Sequence, residues 1–429
     1  MEAKKFLFVS KDSLSGDLAW KLINEGHHVR FYFQDRHSKD VYNGFIKKIK
    51  DWKAYKKWAD VIIFDDENFG KYANELRRRG KLVIGGSIYT DKLETNRRFG
   101  QRELEKYGIK TLPGRQFNDY DKAIRFVKRR PGRYVFKPSG RNQSGDKRLI
   151  MVSQAKDGRD IVEFLKQNKD VWRKKAPTFL LQKFVNGVEI AMGAFFNGKE
   201  FIHPININFE HKRIFHGNMG PMTGEAGTLM YWKNSNKIFT ATLAKMLPAL
   251  KKSKYVGYID INCIVNGKGI YPLEFTSRFG YPTIQIQLEG IINKAGDWLW
   301  RLAKGENFKL NVKKGFQVGV VIFTPPALSE GTDRETAGVY RDLAINFKNK
   351  DKLRGVHLGD IKSNEGIWRV AGISGWNLIV AGHEKTVKRA RDLVYNRIKN
   401  IQIPNMFYRE DIGGNWEVQR KKLRKWGYR

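Results

Sequence analysis

Apolar positions in the first third of the chain cluster into short runs separated by amphipathic stretches. Lys5–Ser10 (KFLFVS), His28–Phe33 (HVRFYF), Val61–Phe64 (VIIF) and Leu82–Ile84 (LVI) read as strands. Leu18–Glu25 reads as a helix that Gly26 can end. Phe45, Ile49 and Trp52 lie at helical spacing within Phe45–Trp58, and a further helix is expected around Tyr72–Arg79. Strand alternating with helix predicts an α/β unit, a parallel sheet with helices on both faces.

The texture changes near Thr95. A helix is expected over Arg97–Tyr107. Tyr134–Lys137 is a strand entering the Gly/Ser stretch from Pro138 to Lys147. Phe179–Phe184 is another strand, and Ile190–Phe196 pairs with the segment after Gly198. Beyond Lys314, strands at Val318–Phe323, Trp368–Val370 and Trp376–Val380 precede a helix over Glu384–Lys399. The central part is therefore α+β in character. No repeat or low-complexity linker separates these units, so they should pack together.

Composition narrows the class. A chain of 429 residues has room for two to four domains, and 41% hydrophobic residues suffice for real cores. No apolar run is long enough to span a bilayer, and MEAKKFLFVSKDS lacks a cleavage pattern. Cys263 is the single cysteine, which excludes internal disulfides and cysteine-rich metal sites and fits a cytoplasmic setting. The net charge of +37 attracts phosphate-rich partners, nucleic acid among them. Lys47–Trp58 interleaves lysines with aromatics, and Arg77-Arg78-Arg79, Lys128-Arg129-Arg130 and the tail from Arg420 to Lys425 are also dense. The competing reading is solvated helix faces, and the spread of charge over the whole chain favours it.

The densest chemistry lies in Tyr255–Gln285, two expected strands joined by a Gly-containing turn. Asp260 and Asn262 share one face of the first strand. Glu274 interrupts an apolar run on the second, and a carboxylate there is costly unless paired or bound to a cation. The hairpin can thus offer oxygen ligands to Mg²⁺, which takes few carboxylates plus phosphate oxygens; an ion pair of Glu274 with Arg278 explains it equally well. Lys137 precedes a loop containing Ser139 and Gly140, whose amides can approach phosphate oxygens. G-x-x-x-x-G-K-[ST] is absent, so this is no Walker A loop, and a plain Gly/Ser hairpin is the commoner case. The strand end Gln182-Lys183-Phe184-Val185, with Glu189 beyond it, can read an adenine edge and ribose hydroxyls or be an ordinary hairpin. Glu210-His211-Lys212-Arg213 is followed by Gly220-Pro221-Met222-Thr223-Gly224-Glu225-Ala226-Gly227, a stretch able to fold around a ligand as a functional loop. His211 is a general base or, more simply, a loop histidine.

The order of these elements resembles the ATP-grasp superfamily, and more closely the glycinamide ribonucleotide synthetase family. LETNRRFGQRELEKYGIKT, FKPSG, QKFVNGVE, EHKR, GPMTGEAG and LEFTSRFGYP each resemble a family motif, and the stretch ending in FYREDIG resembles its last domain. The resemblance implies a Rossmann-like domain (1–94), an ATP-grasp domain (95–315, with a nucleotide-clasping part at 125–190) and a small β-rich C-terminal domain (316–429). It implies an ATP-dependent ligase that joins a carboxylate to an amine through an acyl phosphate, with ATP and Mg²⁺ (or Mn²⁺). Arg97 and Lys137 would hold ATP phosphates together with Ser139 and Gly140. Gln182, Lys183, Phe184 and Val185 would hold adenine, and Glu189 ribose. Glu274, Thr276 and Asp260 would hold the metal, and Arg278 would act with Lys137 and Glu274 on the acyl phosphate. His211, Lys212, Arg213, Gly220, Pro221, Thr223 and Gly224 would line the substrate side, the glycine loop closing over the intermediate.

Departures concentrate at the acceptor end. The family's N-terminal glycine loop is here Ser10-Lys11-Asp12-Ser13-Leu14-Ser15-Gly16-Asp17-Leu18, its GPE turn is Phe64-Asp65-Asp66-Glu67, and the two acids of RFGDPE become Tyr281 and Thr283. Fewer free amides then remain to hold a ribose phosphate. Phosphoribosylamine–glycine ligation is the first expectation, with glycine as the acid in a monomer or dimer. Its rivals are a related ligase acting on an amine of a nucleotide or nucleic acid, and a basic nucleic-acid-binding protein on a degenerate scaffold.

Overall fold

The computed structural model describes residues 2–139, 149–329 and 334–428. Gly140, expected beside the phosphates, lies outside them.

The N-terminal unit is a five-stranded sheet in the order Lys48–Ile49, His28–Phe33, Lys5–Ser10, Val61–Phe64, Leu82–Ile84, every pair parallel. Phe6, Leu7, Phe8 and Val9 are all fully buried, so both faces of the central strand are covered, as a parallel sheet requires. Helix Gly16–Asn24 stops where Gly26 turns with φ +88°. The helix expected over Phe45–Trp58 is not there. The segment holds a two-residue strand at Lys48–Ile49 and one 3₁₀ turn at Trp52–Tyr55, capped by the Asp51 side chain on the Lys53 amide at 2.9 Å. Ile49 is drawn into the parallel sheet, while Trp52 packs edge-on against Phe64 with ring centroids 5.4 Å apart; sheet pairing overrode the helical spacing.

A small four-stranded antiparallel sheet, Gly114–Phe117, Phe179–Lys183, Tyr134–Pro138 and Met151–Val152, is covered by helices Tyr120–Arg129 and Arg159–Lys175. It has its own core around Phe136, Leu165 and Phe179.

The largest element is a nine-stranded antiparallel sheet. Its order is Gly269–Thr276, Gly257–Asn266, Val188–Phe196, Phe201–Phe215, Met219–Lys233, Phe316–Phe323, Trp376–Glu384, Val356–Leu358, with Phe407–Tyr408 also pairing with Phe316–Phe323. Gly227 lies opposite Val320, so strands on either side of residue 316 belong to one sheet. Residues 220–227, expected as a closing loop, are the start of strand Met219–Lys233. They pair with Phe201–Phe215, His211 opposite Gly227 and Arg213 opposite Met222. Gly220 there has φ +77° and packs against Phe215, so its glycine serves the turn of a long hairpin. No helix among the described residues is long and apolar enough to cross a membrane.

Candidate active site

Three sheets meet at one cleft. From the small sheet comes Lys137, one residue from the end of strand Tyr134–Pro138. Its ammonium donates to Gln182 Oε1 on the neighbouring strand at 2.9 Å. Arg97 opens helix Arg97–Lys106, whose end is capped by the Asn96 side chain on the Phe99 amide at 3.0 Å. Arg97 Nη1 donates to Pro138 O at 2.8 Å, tying that helix to the strand carrying Lys137. Burial first, and the nearby Arg97 guanidinium second, push the Lys137 pKa down to about 8. Two neighbouring cations at a cleft wall are relieved by an anion placed between them, which is what a phosphate supplies.

The opposite wall is the large sheet. Asp260 lies directly across from Thr276, and Asn262 from Glu274, so the hairpin presents all four side chains on one face. The Thr276 hydroxyl is hydrogen-bonded to Asp260. Glu274 does not pair with Arg278, the ionic alternative the sequence allowed. Its neighbour is Lys212 at 3.3 Å, while Arg278 Nε reaches Glu94 at 3.2 Å and Glu67 at 4.0 Å. The long reach of both side chains lets them choose partners that sequence proximity does not indicate.

Lys212 is the centre of this wall. Its ammonium is 2.8 Å from Glu189, 3.4 Å from Glu210 and 3.3 Å from Glu274. Burial alone would lower its pKa, but the three carboxylates hold it well above the usual lysine value. Asp260 and Glu225 lie just behind. Burial and the charge of Glu210 push both carboxyls well above their ordinary range. The pocket thus holds more acid than Lys212 and Arg278 neutralise. Asn262 Oδ1 and Glu225 Oε1 are buried with no hydrogen-bond partner among the described residues. A hard divalent cation fits such a set of oxygen donors. Among the described residues no three His, Cys, Asp or Glu side chains form a metal cage by themselves.

The other expected residues divide. The Ser139 amide donates to Thr178 O at 2.8 Å. The amides of Lys183 and Phe184 are taken by Pro113 O and Arg133 O at 2.8 and 2.9 Å. Thr223 Oγ1 donates to Lys212 O at 2.8 Å, and Arg213 Nη1 to Gly220 O at 2.6 Å, so both brace the hairpin. His211 is in a strand, not a loop. Burial and Arg409 push its pKa down to about 4, so it is neutral at pH 7.

A second cavity of about 250 Å³ is lined by Arg278 together with Asp12, Ser13, Gly224, Asp360 and Trp376, with Pro221 just along the strand from Gly224. It brings the N-terminal turn, the long hairpin and the C-terminal part together. Asp360 accepts from Ser13 Oγ at 2.9 Å and from Ser374 Oγ, yet burial raises its pKa to about 6. The turn beside it is closed by a carboxylate of the chain itself. Asp65 Oδ2 accepts from the Ser15 amide at 3.0 Å and from Ser15 Oγ at 2.6 Å, at the N-terminus of helix Gly16–Asn24. A protein carboxylate sits where a ligand anion would be welcome. Glu94, Glu67, Glu210 and Asp360 escaped the sequence reading. The first three stand inside or beside motifs already singled out, whereas nothing in its local pattern marks Asp360.

The sequence model of the family described as phosphoribosylglycinamide synthetase, ATP-grasp (A) domain, matches residues 95–284. The phosphoribosylamine–glycine ligase of Listeria innocua is 27% identical over 346 residues, 78% of this chain and 79% of that one. That of Helicobacter pylori is 25% identical over 377 residues, 84% of this chain and 83% of that one. Among solved structures, the Thermotoga maritima phosphoribosylamine–glycine ligase superposes with a TM-score of 0.70 at 18% identity, covering 95% of this chain and all of that one. A Campylobacter jejuni biotin carboxylase does so at 0.65 and 11%, covering 100% of this chain and 97% of that one, which shows the shared fold. The matched segment runs from the helix of Arg97 through Lys137, Lys212 and Glu274 to Arg278, and over it the chain resembles the ATP-grasp domain of phosphoribosylglycinamide synthetase, while the whole chain shares the fold of a phosphoribosylamine–glycine ligase.

Proposed function

We propose that this protein is an enzyme, an ATP-dependent carboxylate–amine ligase. The observation that carries the reading is the pairing of two walls: Arg97 and Lys137 as cations on one, Glu274, Asp260 and Thr276 as oxygen donors on the other. In this reading a carboxylate oxygen attacks the γ-phosphorus of ATP, ADP leaves, and an acyl phosphate forms. The amine nitrogen then attacks the acyl carbon, phosphate leaves, and the nitrogen gives up a proton. Arg97 and Lys137 hold the phosphates and offset the charge that moves. Arg278, kept cationic by Glu94, Asp66 and Glu67, lines the second cavity, where in this reading the acyl phosphate meets the amine. Glu274 with Asp260 and Thr276 would hold Mg²⁺ or Mn²⁺, which supplies positive charge beside the phosphates. Lys212 then keeps Glu189, Glu210 and Glu274 in place. A reducing, cytoplasmic setting suits the buried thiol of Cys263.

Glycine is the acid and phosphoribosylamine the amine on the strength of the ligases it resembles. A second reading keeps the chemistry and changes the amine, and the carboxylate of Asp65 on the Ser15 amide favours it. The acceptor cavity, with Asp12 and Asp360 beside Arg278, can take an unphosphorylated amine. ADP release with Mg-ATP, glycine and freshly made phosphoribosylamine, with the product weighed, separates the two. A glycinamide product supports the first; ATP binding without product, and turnover with an unphosphorylated amine, supports the second.

A further inference from the structure

We propose that a single-stranded nucleic acid binds in a basic groove leading away from the nucleotide cleft along the N-terminal unit. Two cavities of about 490 and 1140 Å³ share Lys11, Glu67 and Asn68 as lining and so adjoin. Together they exceed the roughly 300–1,000 Å³ of a small-molecule site. Lys50, Lys53, Lys71, Lys92, Arg98 and Arg102 line them, and all six are exposed. The acids along the groove are already engaged. Asp51 caps the Lys53 amide, Asp91 Oδ2 accepts from the Gly70 amide at 2.7 Å, and Glu67 lies 3.7 Å from Lys11 and 4.0 Å from Arg278. Among the described residues none of the six cations is in a salt bridge, which leaves them open to an outside anion.

Charge alone would hold any polyanion, since the whole chain is basic. The rings narrow the partner. Tyr72 is 41% exposed, with Lys53 Nζ 5.6 Å from its ring centre, and Trp52 sets it edge-on from behind at 5.5 Å. Tyr32 at one end and Phe99 at the other are half-buried. A single strand offers unstacked bases to such rings and phosphates to the lysines, whereas a duplex hides its bases. Gln116 of the small sheet and Thr178 just before its strand Phe179–Lys183 also line the larger cavity, as do Arg97 and Ser139 of the proposed nucleotide cleft. A strand in the groove therefore ends beside the reaction centre. That an amine on such a strand is the acceptor would rest on the ligase reading; the binding itself does not.

The test is fluorescence anisotropy of a labelled oligothymidylate, titrated with the full-length protein without ATP over a range of salt. Two quadruple variants of equal charge change are compared. One removes groove cations (Lys50→Gln, Lys53→Gln, Lys92→Gln, Arg98→Gln) and the other removes tail cations (Lys421→Gln, Lys422→Gln, Arg424→Gln, Lys425→Gln). The groove variant should lose at least about tenfold in affinity, with a salt slope shallower by about 0.7 per lost phosphate contact. The tail variant should stay within about twofold. Tyr72→Ala should cost about tenfold with the slope unchanged, as loss of stacking does. Equal losses in both quadruple variants, a duplex bound as tightly as the single strand, or no binding at all would overturn the proposal. None of these results bears on ATP-dependent ligation, which is measured separately.

Discussion

Lys212 and Glu274 face each other at 3.3 Å across two strands of the large sheet that are not neighbours. The contact makes one ammonium the counter-ion of the proposed metal carboxylate. It also ties Glu274 to Glu189 and Glu210, which the same ammonium touches. Lys212→Met should therefore strand three acids and cost on the order of 3 kcal/mol of stability. Adding Glu274→Gln should recover part of that loss. Thermal unfolding of the single and double variants reads the coupling; additive losses would dissolve it.

Glu274→Ala should leave the fold intact, because the side chain is 35% exposed and no core packing is lost. Turnover should fall by at least about a hundredfold, the scale of losing one well-placed electrostatic group. Steady-state ADP release beside a circular-dichroism melt checks both halves. Retained turnover would remove Glu274 from the metal site.

Lys137 gives a pH dependence. Its folded pKa, near 8, lies below the ordinary lysine value of 10.5, so the unfolded chain binds more protons between those values. Stability should therefore rise with pH across that window, and the penalty of a charged Lys137 should be fully present below about pH 8. Lys137→Met should raise Tm at pH 7 by more than at pH 10 while weakening ATP. In the native protein ATP affinity should decline as pH climbs past 8, because the phosphates need the charged form. Isothermal titration with a non-hydrolysable ATP analogue from pH 7 to 10 would show it.

His357 links two units with the opposite sign. Its Nδ1 is 2.8 Å from Asp17 on the first helix, and its Nε2 is 3.5 Å from Glu289. Burial opposes the charge, but the two acids raise its pKa to about 10. The stabilisation is complete below about pH 6.5 and is lost as pH rises through 10. His357→Gln should lower Tm most at pH 6, and the gap to the native protein should close toward pH 10.

Asp65 bears on the acceptor. Asp65→Asn keeps a hydrogen-bond acceptor for Ser15 but removes the negative charge from the helix N-terminus. Ribose 5-phosphate should then bind at least about tenfold tighter than to the native chain. Equal affinities would show that the Asp65 charge does not exclude phosphate.

Motif order carried much of this fold, because the residues proposed to hold ATP sit on regular strands whose alternation is visible. The faces shared by Asp260 with Asn262 and by Glu274 with Thr276 follow from strand period alone, and their cross-strand register completes the site. Local pattern failed where tertiary pairing decides. Ile49 and Trp52 have helical spacing, yet they join a sheet edge and a 3₁₀ turn. Residues 220–227 look like a loop because they are rich in glycine, but the partner strand Phe201–Phe215 extends them. Long-range partners were invisible: Glu94 for Arg278, Asp65 for Ser15 and Asp360 for Ser13 join residues far apart in the chain.

The central claim is that a carboxylate is activated by phosphate from ATP. Glycine labelled with ¹⁸O in its carboxylate, incubated with Mg-ATP and a panel of amines including phosphoribosylamine, tests it directly by the mass of the phosphate released. The account predicts one ¹⁸O atom carried from glycine into each phosphate, in step with ADP and amide. Phosphate whose new oxygen comes from water, or no phosphate with any amine, would contradict it.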